Sequence, residues 1–196
     1  MMKPTTEAVE ATTALHPSRV ELEAGLDYIR QSPKNHGTLE SIVIRPQRDE
    51  RLVLETVELS PQFGVHGDNW ATRGGLSLPD GSPHPAGQVT LMNVRAIAML
   101  AQTKDRWALA GDQLYVDLDL SEGNLQPGQQ LNVGTAIVEV TNKPHRGCAK
   151  FAARYGPEAL KFVNSEVGWH LHLRGIYVKV VQAGVVKVGD DVIVKR

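Results

Sequence analysis

Residues 175–196, GIYVKVVQAGVVKVGDDVIVKR, constrain the fold of this chain more than any other segment. Branched apolar residues alternate with polar ones in three short runs, which Ala-Gly and Gly-Asp separate. The pattern predicts a strand, a tight turn, a second strand, a Gly-Asp turn and a third strand. Three strands in so short a segment favour a mainly β architecture.

Similar runs recur upstream. LESIVIRP and RLVLETVEL predict a hairpin across QRDE, and QVTLM predicts another strand. DQLYVDLDL, residues 112–120, alternates strictly and predicts a half-buried antiparallel strand. LQPGQQLNVGTAIVEVTN adds a strand whose apolar phase slips near Gly134, which predicts a bulge or bend. We therefore expect a mainly β fold with small flanking helices, built as a closed or nearly closed β-barrel.

The N-terminal segment differs from the rest. Residues 1–17 show no clear period and are expected to be a frayed leader. Ser18, with Glu21 three residues on, forms a capping-box pattern. The apolar spacing that follows predicts an amphipathic helix over residues 18–31.

Helical signals elsewhere are short. Asn93 is a predicted N-cap, and two helical pieces are predicted at 148–155 and 157–163, on either side of a glycine. We therefore predict two parts, a leader with an amphipathic helix over residues 1–35 and one barrel domain over residues 36–196.

Composition excludes several function classes. The formal net charge is −1 and the pI is about 6.7, so a general binder of nucleic acid or anionic membranes is not expected. One cysteine, Cys148, rules out an internal disulfide. The first residues contain no apolar run long enough for a signal peptide. These features predict a cytoplasmic protein.

Cys148 lies in the segment KPHRGCAKFAARYGPEALKF, among the basic residues Lys143, His145, Arg146 and Lys150. A thiolate is favoured at the start of a helix and beside cations, which predicts a lowered thiol pKa. Such a cysteine suits nucleophilic attack, the carrying of a persulfide sulfur, or ligation of a soft metal. The alternative is a buried cysteine that acts as a small hydrophobe on the same helix.

The loop segment VHGDNWATRGG also suggests binding, because its glycines permit an anion-binding nest and Arg73 can hold a phosphate or carboxylate. A surface loop stiffened by Asp68 and Asn69 is the alternative. WHLHL places His170 and His172 on one face of a predicted strand, where two partly exposed histidines are favoured over a metal site.

The order of these motifs resembles the MOSC domain, named for the C-terminal part of eukaryotic molybdenum cofactor sulfurases. HGDNWATRGG resembles the family's early Gly-Asp loop, and QVTLMNVRAIAML resembles its strand-then-helix segment. RGIYVKVVQAGVVKVGDDVIV resembles its closing strands, and LQPGQQLNVGTAIVEVTNKPHRGCAKF resembles the stretch that leads to its cysteine. The resemblance covers residues 36–196 and implies a β-barrel. A common family form has cysteine directly after proline, whereas this chain has PHRGC.

The resemblance implies that Cys148 carries a sulfane sulfur or ligates the molybdenum of a pterin cofactor, molybdopterin. We expect the catalytic or metal-binding Cys148 to share a cleft with six cofactor-binding residues, namely His66, Asp68, Arg73, His145, Arg146 and Lys150.

Two mechanisms and one different class stay open. As a sulfur carrier, Cys148 receives a persulfide from a donor of the cysteine desulfurase type. As an enzyme, the protein is a molybdenum-cofactor-dependent reductase of N-hydroxylated compounds that takes electrons from a partner reductase. The other class is a non-catalytic ligand-binding or partner-binding module, for which a buried and inert Cys148 is expected. The substrate and the oligomeric state are left open.

Overall fold

The structure, a computed structural model, describes residues 16–73 and 77–196. The strands in this part of the chain are β1 His36–Ile44, β2 Leu52–Leu54, β3 Thr56–Ser60, β4 Gly64–Val65, β5 Val89–Asn93, β6 Leu114–Asp117, β7 Gln130–Val133, β8 Ala136–Val140, β9 Ile176–Gln182, β10 Gly184–Lys187 and β11 Asp191–Val194. The α-helices are α1 Arg19–Ala24, α2 Leu26–Arg30, α3 Val94–Ala101, α4 Ala149–Tyr155, α5 Pro157–Val163 and α6 Glu166–His170. Short 3-10 helices lie at Asn69–Ala71, Pro85–Gly87 and Lys104–Ala110.

Seven strands close into a barrel in the order β11-β7-β8-β9-β5-β6-β1, and β1 pairs back onto β11. All neighbours in this ring are antiparallel except β5 and β6, which are parallel. β2 extends the sheet beyond β1, and β10, β3 and β4 form a separate small sheet. The prediction of a closed β-barrel with small flanking helices is confirmed.

Two apolar cores hold the fold together. The first fills the barrel with inward-facing residues of its strands, such as Leu39, Leu91 and Val178, all fully buried. The second lies outside the barrel, where the helices cover outward-facing strand residues such as Met92 and Tyr115. The strands between the cores are therefore buried on both faces.

This second core corrects the prediction of a half-buried antiparallel strand at residues 112–120. Gln113 and Tyr115, on the predicted polar face, are fully buried. Gln113 accepts from the amide and hydroxyl of Thr90, and the Tyr115 hydroxyl donates to the carbonyl oxygen of Trp107. The strand is also parallel to β5, because α3 crosses over between them.

Two local predictions have different outcomes. The predicted bulge or bend near Gly134 corresponds to a two-residue hairpin turn between β7 and β8, with Gly134 at φ 53°, and the β8–β9 pairing shifts register between Ile137 and Val138. WHLHL forms no strand, because the side chain of Ser165 accepts from the amide of Gly168 and starts helix α6 there. His172 then follows in a turn with φ 47°.

The N-terminal helices pack onto the helical core. The predicted capping box is confirmed, since Ser18 and Glu21 exchange side-chain to backbone hydrogen bonds at the start of α1. Leu22 of α1 and Ile29 of α2 are buried in the second core. Residues 1–15 of the predicted leader, like Gly74 and Gly75 of the predicted anion-binding loop, lie outside the described residues. Within the described residues, no helix has the length and apolar character that crossing a membrane requires.

We expect the first helix to fold cooperatively with the barrel. Leu22→Ala should lower the free energy of unfolding by about 3 kcal/mol, because it leaves a cavity beneath α1. Urea denaturation followed by circular dichroism and tryptophan fluorescence measures this change. Val20→Ala is the matched control on the same helix, since Val20 is 75% exposed. Equal stability of the two variants would show that α1 is not part of the cooperative unit.

Candidate functional site

Three segments that are distant in sequence converge on one cleft of about 810 Å³. They are the β1–β2 loop at residues 45–51, the segment at 69–73, and the β8–α4 connection with α4 at 145–154. Among the described residues, one carboxylate lines the cleft, that of Asp49, together with the amine of Lys150. The lining arginines are Arg45, Arg48, Arg51, Arg73, Arg146, Arg154 and Arg174. The cleft is therefore strongly electropositive, although the whole chain has a formal net charge of −1.

Cys148 lines this cleft and is exposed. It is the N-cap residue of α4, and its carbonyl oxygen accepts from the amides of Phe151 and Ala152 at 2.9 and 3.1 Å. Phe151 and Tyr155 of the same helix are buried, whereas Cys148 is exposed. The alternative of a cysteine buried as a small hydrophobe is therefore wrong.

The residue before the thiol is fixed in place by a helix behind it. The amide of Gly147 donates to Asn164 Oδ1 at 3.0 Å, and Asn164 Nδ2 donates to the carbonyl oxygen of Gly147 at 3.1 Å. A Cβ on Gly147 would lie 2.8 Å from Leu160 Cδ1 and 2.9 Å from Val163 Cγ2. A glycine is needed here because the backbone packs directly on α5.

Two of the predicted basic neighbours face the cleft together with Cys148. The guanidinium of Arg146 lies over the ring of Trp169, 4.7 Å from its centroid. Lys150 Nζ lies 3.8 Å from Asp49 Oδ1 across the cleft, and both of these side chains are 61% exposed. Arg146 and Lys150 thus supply positive charge on the same wall as the thiol.

His145 lines the cleft too, but as a buried neutral ring. Its side chain is 7% exposed, and its Nδ1 lies 3.8 Å from Asp112 Oδ1, too far for a hydrogen bond. Burial lowers the pKa of His145 well below its ordinary value, and the charges of Arg174 and Arg45 lower it further. His145 therefore contributes a polar ring nitrogen near Cys148, and not a positive charge.

Asp68 has no direct access to the cleft, because it is fully buried behind Arg45. Its carboxylate accepts from Arg45 Nε and Nη2, both at 2.9 Å, and from the backbone amides of Arg45 and Trp70 at 3.0 Å. The remaining guanidinium nitrogen of Arg45 donates to the carbonyl oxygen of Gly111 at 2.8 Å. Asp68 therefore orients a cleft arginine, which the sequence analysis did not foresee.

The other two residues predicted from this loop, Arg73 and His66, lie in different places. Arg73 lines the cleft and also a smaller pocket of about 210 Å³, which it shares with Lys143. Arg73 is exposed, but neighbouring atoms partly desolvate its guanidinium, which lowers its pKa. The charge of Arg45 lowers the pKa of Arg73 further. His66 is not in the cleft lining, and its ring packs edge-on against Phe63 with 5.3 Å between centroids.

Most of the cleft arginines were missed from the sequence. The clearest signal was RPQRDER, which carries Arg45, Arg48 and Arg51 in one predicted turn. Arg174 entered the sequence analysis only as the first residue of RGIYVKVVQAGVVKVGDDVIV. In the structure its Nη1 donates to buried Asp112 at 2.6 Å. Asp112 lies two residues before the start of β6 and carries no sequence pattern of its own.

Comparison with known proteins identifies the family. The sequence model of the MOSC domain matches residues 84–193, just over half of the chain. The chain belongs to the MOSC domain family. This is a domain family related to molybdenum cofactor, and the resemblance inferred from the sequence is confirmed. The matched region contains Cys148, whereas the β1–β2 loop and the 66–73 loop precede it.

Solved structures share the MOSC fold. The YuaD protein from Bacillus subtilis has a TM-score of 0.59 and 17% identity, over 80% of this chain and 94% of that protein. YiiM from Geobacillus stearothermophilus has a TM-score of 0.54 and 17% identity, over 82% and 75% of the two chains. YiiM from Escherichia coli has a TM-score of 0.52 and 16% identity, over 81% and 70%. Among curated proteins, no relative matches the chain.

We expect Asp68→Asn to destabilise the protein, because it removes the charge that compensates the partly buried Arg45. The free energy of unfolding should fall by about 3 kcal/mol, the usual cost of breaking a buried ion pair. Urea denaturation at pH 7 measures it. Asp80→Asn is the control, since Asp80 lies in an exposed turn, where its carboxylate accepts from the amide and hydroxyl of Ser82. A loss no larger than that of the control would mean that the Asp68–Arg45 pair does not support the fold.

The buried state of His145 predicts a pH dependence. Because its folded pKa is lowered, the unfolded chain binds a proton below about pH 6.5 that the folded chain does not bind. The unfolding free energy should therefore fall on acidification from pH 7 to 5, by at most about 1.4 kcal/mol per pH unit from this group. Denaturation at several pH values should show a shallower loss for His145→Gln.

His170→Gln is the control of opposite sign. A hydrogen bond that His170 Nδ1 donates to the Glu122 carboxylate raises the pKa of His170, so this histidine stabilises the fold at low pH and loses that effect as pH rises. Its removal should not make the loss on acidification shallower. If both variants behave alike, His145 is not the group responsible.

Proposed function

We propose that this MOSC protein handles molybdenum cofactor or its sulfur in the arginine-lined cleft, with Cys148 as the reactive thiol. The observation that carries the proposal is the position of Cys148, an exposed thiol in a cleft of about 810 Å³ lined by seven arginines among the described residues. A soft sulfur ligand and an anion-binding wall are the two features that such a cofactor needs, because it carries molybdenum and a phosphate.

The residues fit the cofactor chemically. Arg73, together with Arg45 as oriented by Asp68, presents guanidinium groups suited to a phosphate. The lining also includes buried polar atoms without a protein partner among the described residues, His145 Nδ1 and Asn69 Oδ1. Such atoms suit the hydrogen-bonding edge of a pterin, because buried polar groups are costly when they stay unpaired. The volume lies within the range of cofactor pockets.

The chain's own residues surround the thiol with positive charge. Arg146 and Lys150 lie on the same wall as Cys148. The thiolate is the form of a cysteine that binds metal or attacks sulfur. When bound, molybdenum cofactor supplies the redox or sulfur-transfer chemistry, while the protein orients it and excludes competing contacts.

Two forms of the function remain. In the carrier form, the Cys148 thiolate attacks the outer sulfur of a donor persulfide, such as that of a cysteine desulfurase. The donor S–S bond breaks, the donor thiolate leaves, and Cys148 becomes the persulfide. In the reductase form, Cys148 is a molybdenum ligand and a partner reductase supplies electrons for N-hydroxylated substrates. The exposed Cys148 does not favour the non-catalytic module, for which a buried thiol was expected.

Metal and sulfur analysis distinguishes these forms. The protein is expressed in cells that make molybdenum cofactor, and bound molybdenum and cyanide-releasable sulfur are measured. Wild type should contain molybdenum in the reductase form, or releasable sulfur without metal in the carrier form. Cys148→Ala should abolish either one, because the alanine offers no sulfur.

Two further variants control this experiment. Arg73→Gln should lower bound molybdenum, because it weakens the phosphate-binding wall and leaves the thiol intact. Lys161→Gln, on the exposed side of α5, should bind as wild type does. Wild type with neither molybdenum nor releasable sulfur, or a Cys148→Ala variant that keeps them, would refute the proposal.

A further inference from the structure

Some of the cationic side chains in the cleft have their charge balanced by a buried carboxylate, and others do not. Arg45 is paired with Asp68, and Arg174 with Asp112, and both carboxylates are fully buried. These two arginines therefore have their charges balanced within the fold. Arg51, Arg154 and Lys150, at the β1–β2 loop and α4, are different, because the described carboxylate near them is Asp49, which is 61% exposed.

Arg51 shows this lack of compensation most clearly. Its Nη1 donates to the carbonyl oxygen of Glu50 at 2.6 Å, and its buried Nε has no partner among the described residues. Burial lowers its pKa, and the charges of Arg154 and Arg45 lower it further. Its Nη2 packs so closely on Gly111 that a Cβ there would lie 3.3 Å away. A guanidinium is thus held among like charges at the wall of an open cleft.

Arg154 and Lys150 complete the group on α4. Arg154 Nη1 donates to the carbonyl oxygen of Leu109 at 2.6 Å, which fixes the side chain over the cleft. Arg154 Nη2 and Lys150 Nζ lie 3.7 and 3.8 Å from Asp49 Oδ1, as loose contacts. Arg48 Nε also lies 3.7 Å from Asp49 Oδ2. Several cations therefore surround one exposed carboxylate, which leaves an excess of positive charge.

We infer that Arg51, Arg154 and Lys150 form a phosphate subsite for a phosphorylated small-molecule substrate. A phosphate monoester carries close to two negative charges at neutral pH, which the excess positive charge of this group can compensate. Arginine forks bind phosphate oxygens in pairs, and the free Nε of Arg51 is one unused donor. The inference rests on the proposed function only in assigning the cofactor to the other end of the cleft.

The Arg73 end of the cleft is formed by other residues. The pKa of Lys143 is lowered by burial and by Arg73, and both residues line the small pocket beside the cleft. The two ends are within electrostatic reach of each other, because burial, Arg45 and Arg51 all lower the pKa of Arg73. We assign the cofactor to the Arg73 end and the phosphorylated substrate to the Arg51 end.

Calorimetric titration with inorganic pyrophosphate at low ionic strength tests the subsite. Wild type should bind, and Arg51→Gln should bind about tenfold more weakly, because a charge-assisted hydrogen bond and one charge are lost. Lys150→Gln, a change at an exposed lysine that the fold tolerates, should weaken binding severalfold. Lys161→Gln is its matched control, since it removes the same charge from an exposed lysine on the next helix.

The same titration on cofactor-loaded and cofactor-free protein separates the two proposals. Binding by the loaded protein that Arg51→Gln weakens supports a subsite beside the cofactor, and loss of binding on loading overturns it. If neither cofactor nor releasable sulfur is ever found, the proposed function fails, while Arg51-dependent pyrophosphate binding still supports the subsite. An Arg51→Gln or Lys150→Gln effect no larger than that of Lys161→Gln overturns the inference.

Discussion

Strand β1 connects closure of the barrel to construction of the cleft. Its first residues pair with β11, its middle pairs with β6 and its last residues pair with β2. The next residue is Arg45, whose backbone amide and guanidinium both donate to buried Asp68. Because hydrogen bonds on both sides fix the strand, the orientation of Arg45 is set as the barrel closes. The cationic wall is therefore a consequence of folding and needs no ligand to form.

The opposite wall depends on the second core. Phe151 and Tyr155 of α4 and Phe162 of α5 are buried under the outer face of the barrel, which fixes both helices. Asn164 then holds Gly147 by two hydrogen bonds, so the chain reaches Cys148 in a defined path. The thiol can stay exposed because the apolar residues of its helix supply the packing energy.

The sequence predicted the strands well, because alternation and glycine turns report directly on a two-faced sheet. The sequence-based prediction that the strand face with Gln113 and Tyr115 is exposed was wrong, because the pattern within a strand does not reveal that helices cover that face. Cys148, Arg146 and Lys150 were found because they are neighbours in one segment. Arg51 and Asp112 were missed because their roles arise from contacts with Arg154 and Arg174, distant in sequence.

Local charge also explains why the near-neutral composition was uninformative about anion binding. A net charge of −1 averages over the surface, whereas the cleft gathers arginines from three segments of the chain. Burial, and then repulsion from Arg154 and Arg45, lowers the pKa of Arg51, so holding this charged group in the cleft wall opposes folding. An anion that binds between them relieves this repulsion and adds its binding free energy to the folded state. The same charges that weaken the free protein therefore make its stability sensitive to the anions it binds.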